Sequence, residues 1–252
     1  MKCGYIRQTW DFGDTIEIEE KHTGRYGAKG QKREKREKPS PEDIKRQNQW
    51  KRVRDLRRAI KWNFRKNDYW ITLTYPKGHR PEYAQVMKDV QKMIRKVKDR
   101  YKKLGTELKY IYRIAIGKRG GIHVHILVNR FANEQTGSDV IISECWTNGH
   151  VNFRTLYESG GYQDLAEYIA KELEEWEPEN MKRFHSSRNL IRKEPEEKKI
   201  NKRSLVDRRG LPIPPKAPKG YYVDESSVET GINPMTGFAY RHYTLVKLER
   251  RT

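Results

Sequence analysis

The chain has 252 residues, 54 of them Lys or Arg and 34 Asp or Glu, for a formal net charge of +20. Hydrophobic and charged residues each make up 35%, which excludes a large core outside the middle and suits one domain with extensions or two small ones. The charge restricts partners to polyanions. No apolar run nears the roughly 20 residues that span a bilayer, and Met1–Arg7 lacks the apolar core of a signal peptide, so nucleic acid is the expected partner and no membrane is involved.

In chain order, Asp14–Glu20 alternates, with Ile16 and Ile18 on one face, and predicts an outlying strand. Residues 25–38 are Gly, Lys, Arg and Glu with almost nothing apolar after Tyr26, a composition expected to be mobile. Ser40-Pro41-Glu42-Asp43 starts a helix: Ser as N-cap, Pro in the first turn, acids at the positive end of the dipole. That helix is expected to reach about Lys66, with Arg54, Arg57, Arg58 and Lys61 forming a phosphate-contact surface. Tyr69–Tyr75 predicts a strand, 82–104 an amphipathic helix with Val86, Val90, Ile94, Val97 and Tyr101 on its stripe, and Leu108–Ile116 a second strand. Gly117-Lys118-Arg119-Gly120-Gly121 then turns the chain into an antiparallel hairpin with the segment that follows.

A helix over 140–146, a strand over Val151–Thr155 and a helix over about Tyr162–Trp176 complete the middle. The fold class is therefore α+β, an antiparallel β-sheet with flanking helices. Three parts are expected: a basic N-terminal extension (1–66, helix about 41–66), the α+β domain (67–178) and a polar, Pro-containing C-terminal extension (179–252). Within the last, Leu211–Pro218 reads as extended linker and Tyr240–Leu248 as a strand returning to the body. Cys3 and Cys145 match no zinc or redox spacing, so a reducing cytoplasmic location is expected.

The chemistry concentrates in Gly121-Ile-His-Val-His-Ile-Leu-Val128. Ile122, Val124, Ile126 and Val128 fill one face of a strand, so His123 and His125 share the other. Imidazole is the commonest metal ligand, and two on one strand supply half a coordination shell. Farther on, Asp164-Leu-Ala-Glu-Tyr-Ile-Ala-Lys-Glu-Leu173 reads as one helix, with Leu165, Ile169 and Leu173 buried. Tyr168 and Lys171, three apart, would share an edge. A phenol is a poor nucleophile at neutral pH unless a cation stabilises the phenolate, and Lys171 offers one.

Taken together, Trp70-Ile-Thr-Leu-Thr-Tyr75, His123-Val-His125 and Tyr168-Ile-Ala-Lys171 resemble, in this order, the motifs of the HUH endonucleases. Within that superfamily they are most similar to the rolling-circle replication initiators of plasmids and phages, over about residues 67–176. The resemblance implies a ferredoxin-like nuclease domain that nicks and rejoins single-stranded DNA at a replication-origin hairpin. Tyr168 would be the nucleophile, giving a 5′-phosphotyrosine, and Lys171 its partner. His123 and His125 would hold Mn²⁺ or Mg²⁺. Thr72, Thr74, Arg113, Lys118 and Arg119 are expected to contact DNA, and host helicase and polymerase are candidate partners.

One position departs from the pattern. Related initiators often carry Glu on the strand before the turn as a third metal ligand, and here Ala115 stands there. Glu172 is the candidate substitute. Two imidazoles alone suit Mn²⁺ better than Mg²⁺. Two other readings fit the same residues: a non-catalytic DNA-binding remnant of this fold, motivated by Ala115, and a single-tyrosine transposase.

Overall fold

Strands β1 (Tyr5–Asp11) and β2 (Thr15–His22) precede helix α1 (Pro41–Asn63); β3 (Tyr69–Thr74), α2 (Tyr83–Lys103), β4 (Tyr110–Ile116), β5 (Ile122–Val128), α3 (Ser138–Cys145), β6 (Val151–Thr155) and α4 (Gln163–Ala170) make up the middle. The chain ends with β7 (His185–Ser186), β8 (Glu196–Ile200), β9 (Tyr221–Asn233) and β10 (Phe238–Lys247). This is a computed structural model that describes residues 4–24, 38–156, 161–201 and 204–248. Most of the stretch expected to be mobile, 25–37, lies outside the described residues, as does Cys3. The fold is α+β, with two five-stranded antiparallel sheets and four helices among the described residues. The chain divides into two compact units, Asn48–Arg192 and a second drawn from Met1–Gln47 and Lys193–Thr252.

The middle unit holds the sheet β6-β3-β5-β4-β7. Its hairpin is closed by Gly117–Gly121, where Gly120 takes φ +73°, a left-handed conformation that favours glycine. Alternation along β3 and β5 gives the sheet two different faces. On one, Ile71, Leu73, Ile114, Val124 and Ile126 are all 2% exposed or less and pack on Val86, Val90, Val97 and Tyr101 of α2 and Ile141 and Ile142 of α3. The other face is apolar only at the end away from the hairpin turn. There Ile111, Leu127 and Trp70 meet Val53, Leu56 and Ile60 of α1 and Ala166, Ile169 and Ala170 of α4.

Helix α1 starts as its cap predicts. The Asp43 amide donates to Ser40 Oγ at 3.1 Å while the Ser40 amide donates to Asp43 Oδ2 at 3.2 Å, a reciprocal cap. Helix α4 is shorter than expected and stops at Ala170. Beyond it the carbonyls of Lys171 and Glu172 turn to the Arg113 guanidinium, at 2.6 and 3.5 Å, instead of accepting from a following helical turn.

The second unit is a sheet of order β8-β1-β2-β10-β9. The alternating segment at 14–20 is indeed a strand, but it pairs with β1 and β10, and the final strand joins β2 and β9 rather than the central sheet. Glu20 is fully buried there between Arg7, at 3.0 Å, and Arg241. Burial of that carboxylate depends on its two cationic partners.

Candidate functional site

Antiparallel register fixes which side chains share the second face of the central sheet. One row across the strands reads Asn152, Thr72, His125, Arg113; the next, toward the hairpin turn, has Thr74, His123 and Ala115. The row on the other side has Arg154, Trp70, Leu127 and Ile111. The polar rows therefore begin where the apolar contact with α1 and α4 ends.

Helix α4 docks through Ala166, Ile169 and Ala170, and this carries Tyr168 to the edge of the polar rows. The Tyr168 ring centroid lies 5.1 Å from that of His125, nearly perpendicular at 86°, and 6.1 Å from that of Trp70. Trp70 stacks on His125 at 5.3 Å with 4° between planes, and the two imidazoles stand 4.8 Å apart. Tyr168 remains 40% exposed. Three of the sequence-predicted residues, His123, His125 and Tyr168, thus come together from β5 and α4.

Burial pushes the pKa of both histidines down; that of His125 falls to about 4, with the nearby His123, Arg113 and Arg154 adding to the effect. At neutral pH both rings are uncharged, the form that coordinates a metal. Thr72 Oγ1 sits 3.1 Å from His125 Nδ1. In the tautomer that donates Nδ1–H to Thr72, Nε2 keeps its lone pair, as in metal sites whose ligand rings are held by an outer hydrogen bond. This donor set fits half the shell of a nitrogen-tolerating ion such as Mn²⁺ better than an all-oxygen Mg²⁺ site. Among the described residues no group of three His, Cys, Asp or Glu side chains is placed to hold a metal.

Glu172 accordingly does not complete a three-ligand group with the histidines; its carboxylate lies 3.5 Å from Arg183. Lys171 falls beyond the end of α4, off the helical edge expected to carry it, and its ammonium pairs with Glu174. Burial raises the Tyr168 pKa above its usual value; the charge on Arg113 opposes this and that on Glu177 reinforces it.

Arg113 is 3% exposed and so is no surface contact for DNA. Its guanidinium bonds the carbonyls of Ile169 at 3.3 Å, Lys171 at 2.6 Å and Glu172 at 3.5 Å, and lies 3.5 Å from Glu177. Glu177, 7% exposed, also accepts from the amides of Ile116 and Glu174. Arg113 and Glu177 thereby hold the end of the tyrosine helix against the strand beside the histidines.

The remaining basic positions are divided. Arg58 is 5% exposed; Arg54 lies over the Trp50 ring and pairs with Asp55; Arg57 bonds Gln163 of α4 at 2.7 Å. Lys61 is half-buried, Thr74 hydrogen-bonds the His150 carbonyl, and Lys118 lies over the Trp176 ring while Arg119 is exposed in the turn. Asn152 and Arg154, exposed on the histidine face, were missed by sequence reasoning, although their alternation with Val151 and Phe153 is the signal that finds them.

The histidine face thus gathers two imidazoles, an accessible tyrosine, and the exposed side chains of Asn152 and Arg154. Residues 68–173 match the model of a family of replication-associated proteins that includes ORF2, which supports a replication-initiator role. No curated protein and no solved structure matches the chain. Among the described residues no helix is long and apolar enough to cross a membrane.

Proposed function

We propose that the chain initiates replication as an HUH-type endonuclease, nicking and rejoining single-stranded DNA through Tyr168. The observation that carries this is the exposed Tyr168 ring set 5.1 Å from His125 on the histidine face. The Tyr168 hydroxyl forms a bond to phosphorus and gives up its proton, the bond from phosphorus to the 3′ oxygen breaks, and that oxygen takes a proton. A 5′-phosphotyrosine and a free 3′-hydroxyl result. One phosphodiester replaces another, so a 3′-hydroxyl reverses the step without ATP.

His123 and His125 would hold a divalent ion, which would polarise the phosphodiester and stabilise charge gathering on its oxygens. Trp70, its ring parallel to that of His125, offers a flat partner for a base, and Arg154 a charge for a phosphate. Lys171 reaches the DNA by exchanging Glu174 for a phosphate. Host helicase and polymerase would act on the exposed 3′ end.

A labelled pool of hairpin-bearing single-stranded oligonucleotides with Mn²⁺ tests this. The chain should form a covalent adduct that Tyr168→Phe does not form. No adduct, or an equal yield from Tyr168→Phe, rejects the nucleophile. The lack of a three-ligand group among the described residues favours a second reading, a DNA-binding remnant; it predicts binding with no adduct under any divalent ion.

A further inference from the structure

Helix α1 and the segment after α4 meet at an amide. Gln49 Nε2 donates to the Ala170 carbonyl at 3.0 Å. Its Oε1 accepts from Arg52 Nη1 at 2.9 Å and from Arg183 Nη1 at 2.5 Å. Two guanidinium groups from distant parts of the chain therefore converge on one neutral oxygen. An amide oxygen satisfies N–H groups without cancelling charge, so the two cations are held together rather than neutralised. Glu172 lies 3.5 Å from Arg183 and sets one negative charge against two.

Each guanidinium carries five N–H donors in a planar fork that matches phosphate oxygens. Both arginines are half-exposed. Burial, and then the charge on Arg183, lowers the Arg52 pKa, and Glu172 pulls the other way. Ala170, the residue that Gln49 grips, is the last of α4 and two positions from Tyr168.

We propose that Arg52 and Arg183, spaced by Gln49, form a binding site for one backbone phosphate of the single-stranded DNA that Tyr168 attacks. The proposal rests on the DNA-nicking reading for the identity of the strand. Glu172 then acts as a weak counter-ion that the phosphate displaces, rather than as a metal ligand. Anchoring one phosphate fixes the register of the strand on the protein without reading a base.

A scan of methylphosphonates, each removing the charge from one linkage of a bound single strand, tests the site by affinity in the absence of divalent ions. In the unaltered chain one linkage should show a loss of about tenfold, the size of one charge-assisted hydrogen bond. Arg52→Gln with Arg183→Gln should weaken the unmodified strand by a similar factor and lose sensitivity at that linkage alone. The salt slope should fall by about 0.7 for each phosphate no longer neutralised. Arg52→Lys with Arg183→Lys, which keeps the charge, should restore part of the affinity.

A flat scan on the unaltered chain, or a scan that the Gln pair leaves unchanged, overturns the site. Stabilisation by millimolar inorganic phosphate, lost in the Gln pair and accompanied by a flat scan, assigns the arginines to a free anion and also overturns it. Because the readout is binding, a sensitive linkage without any covalent adduct would keep this site and reject the nuclease. An adduct with a flat scan would do the reverse.

Discussion

The two faces of the central sheet come from the same strands yet are built to different rules. Toward α2 and α3 every inward position of β3 and β5 is apolar and nearly water-free. Toward α1 and α4 the face is divided along the strands: Ile111, Leu127 and Trp70 bury against helices, Arg113, His125 and Thr72 follow one row on, and His123 one row further. The first face supplies stability through close apolar packing and needs no polar partners. The second gives up burial to place polar groups, and each of them then needs a partner.

Arg113 is where that difference should be largest. Arg113→Met leaves Glu177 buried without its cation and three carbonyls without a donor. Breaking such a buried pair costs about 3–5 kcal/mol, which urea unfolding would measure. Adding Glu177→Gln should recover part of the loss, because the stranded charge goes with it. A cost below about 1 kcal/mol for the single variant would make the guanidinium a bystander. On the opposite face, Ile126→Val should cost only about 0.5–1.5 kcal/mol, since one methylene is lost from a close-packed apolar layer. If it costs more than Arg113→Met, the division between the faces is wrong.

Much of this was legible because it is local. Period two in Ile122–Val128 placed both histidines on one face, and the stripe Val86, Val90, Ile94, Val97, Tyr101 gave α2 its buried side. Alternation gives the face of a residue but not its depth, and so Arg113 read as a DNA contact when it lies in the interior. The end of α4 was hidden for a related reason. The group that captures its last carbonyls, Arg113, is 58 positions from Lys171 in sequence, and nothing between Ala170 and Glu177 breaks a helix by composition. The terminal sheet was read only as isolated strands. Its partners β1 and β8 come from distant parts of the chain, and the apolar residues of β9, Tyr221, Val223, Val228 and Ile232, do not keep a period of two, so no simple alternation announces it.

The effect that bears most directly on the chemistry is one of pH. His123 and His125 have pKa values below the ordinary 6.5, because burial disfavours their charged forms. The unfolded chain takes up protons as pH drops below about 6.5, whereas the folded chain resists until about 4 at His125. Folding stability of the metal-free chain should therefore be flat from these groups above pH 6.5 and fall as pH drops from there to about 4. Burial shifts His185 in the same direction, and carboxylates enter at the acid end, so the informative quantity is a difference. The curve for the unaltered chain minus that for His125→Asn should slope downward across this window and level off on either side. Apolar neighbours on the first face cannot produce such a slope, because they bind no protons. A difference curve that instead rises on acidification would mean that the folded state prefers a charged His125, which repels a divalent cation, and the neutral donor pair would have to be abandoned.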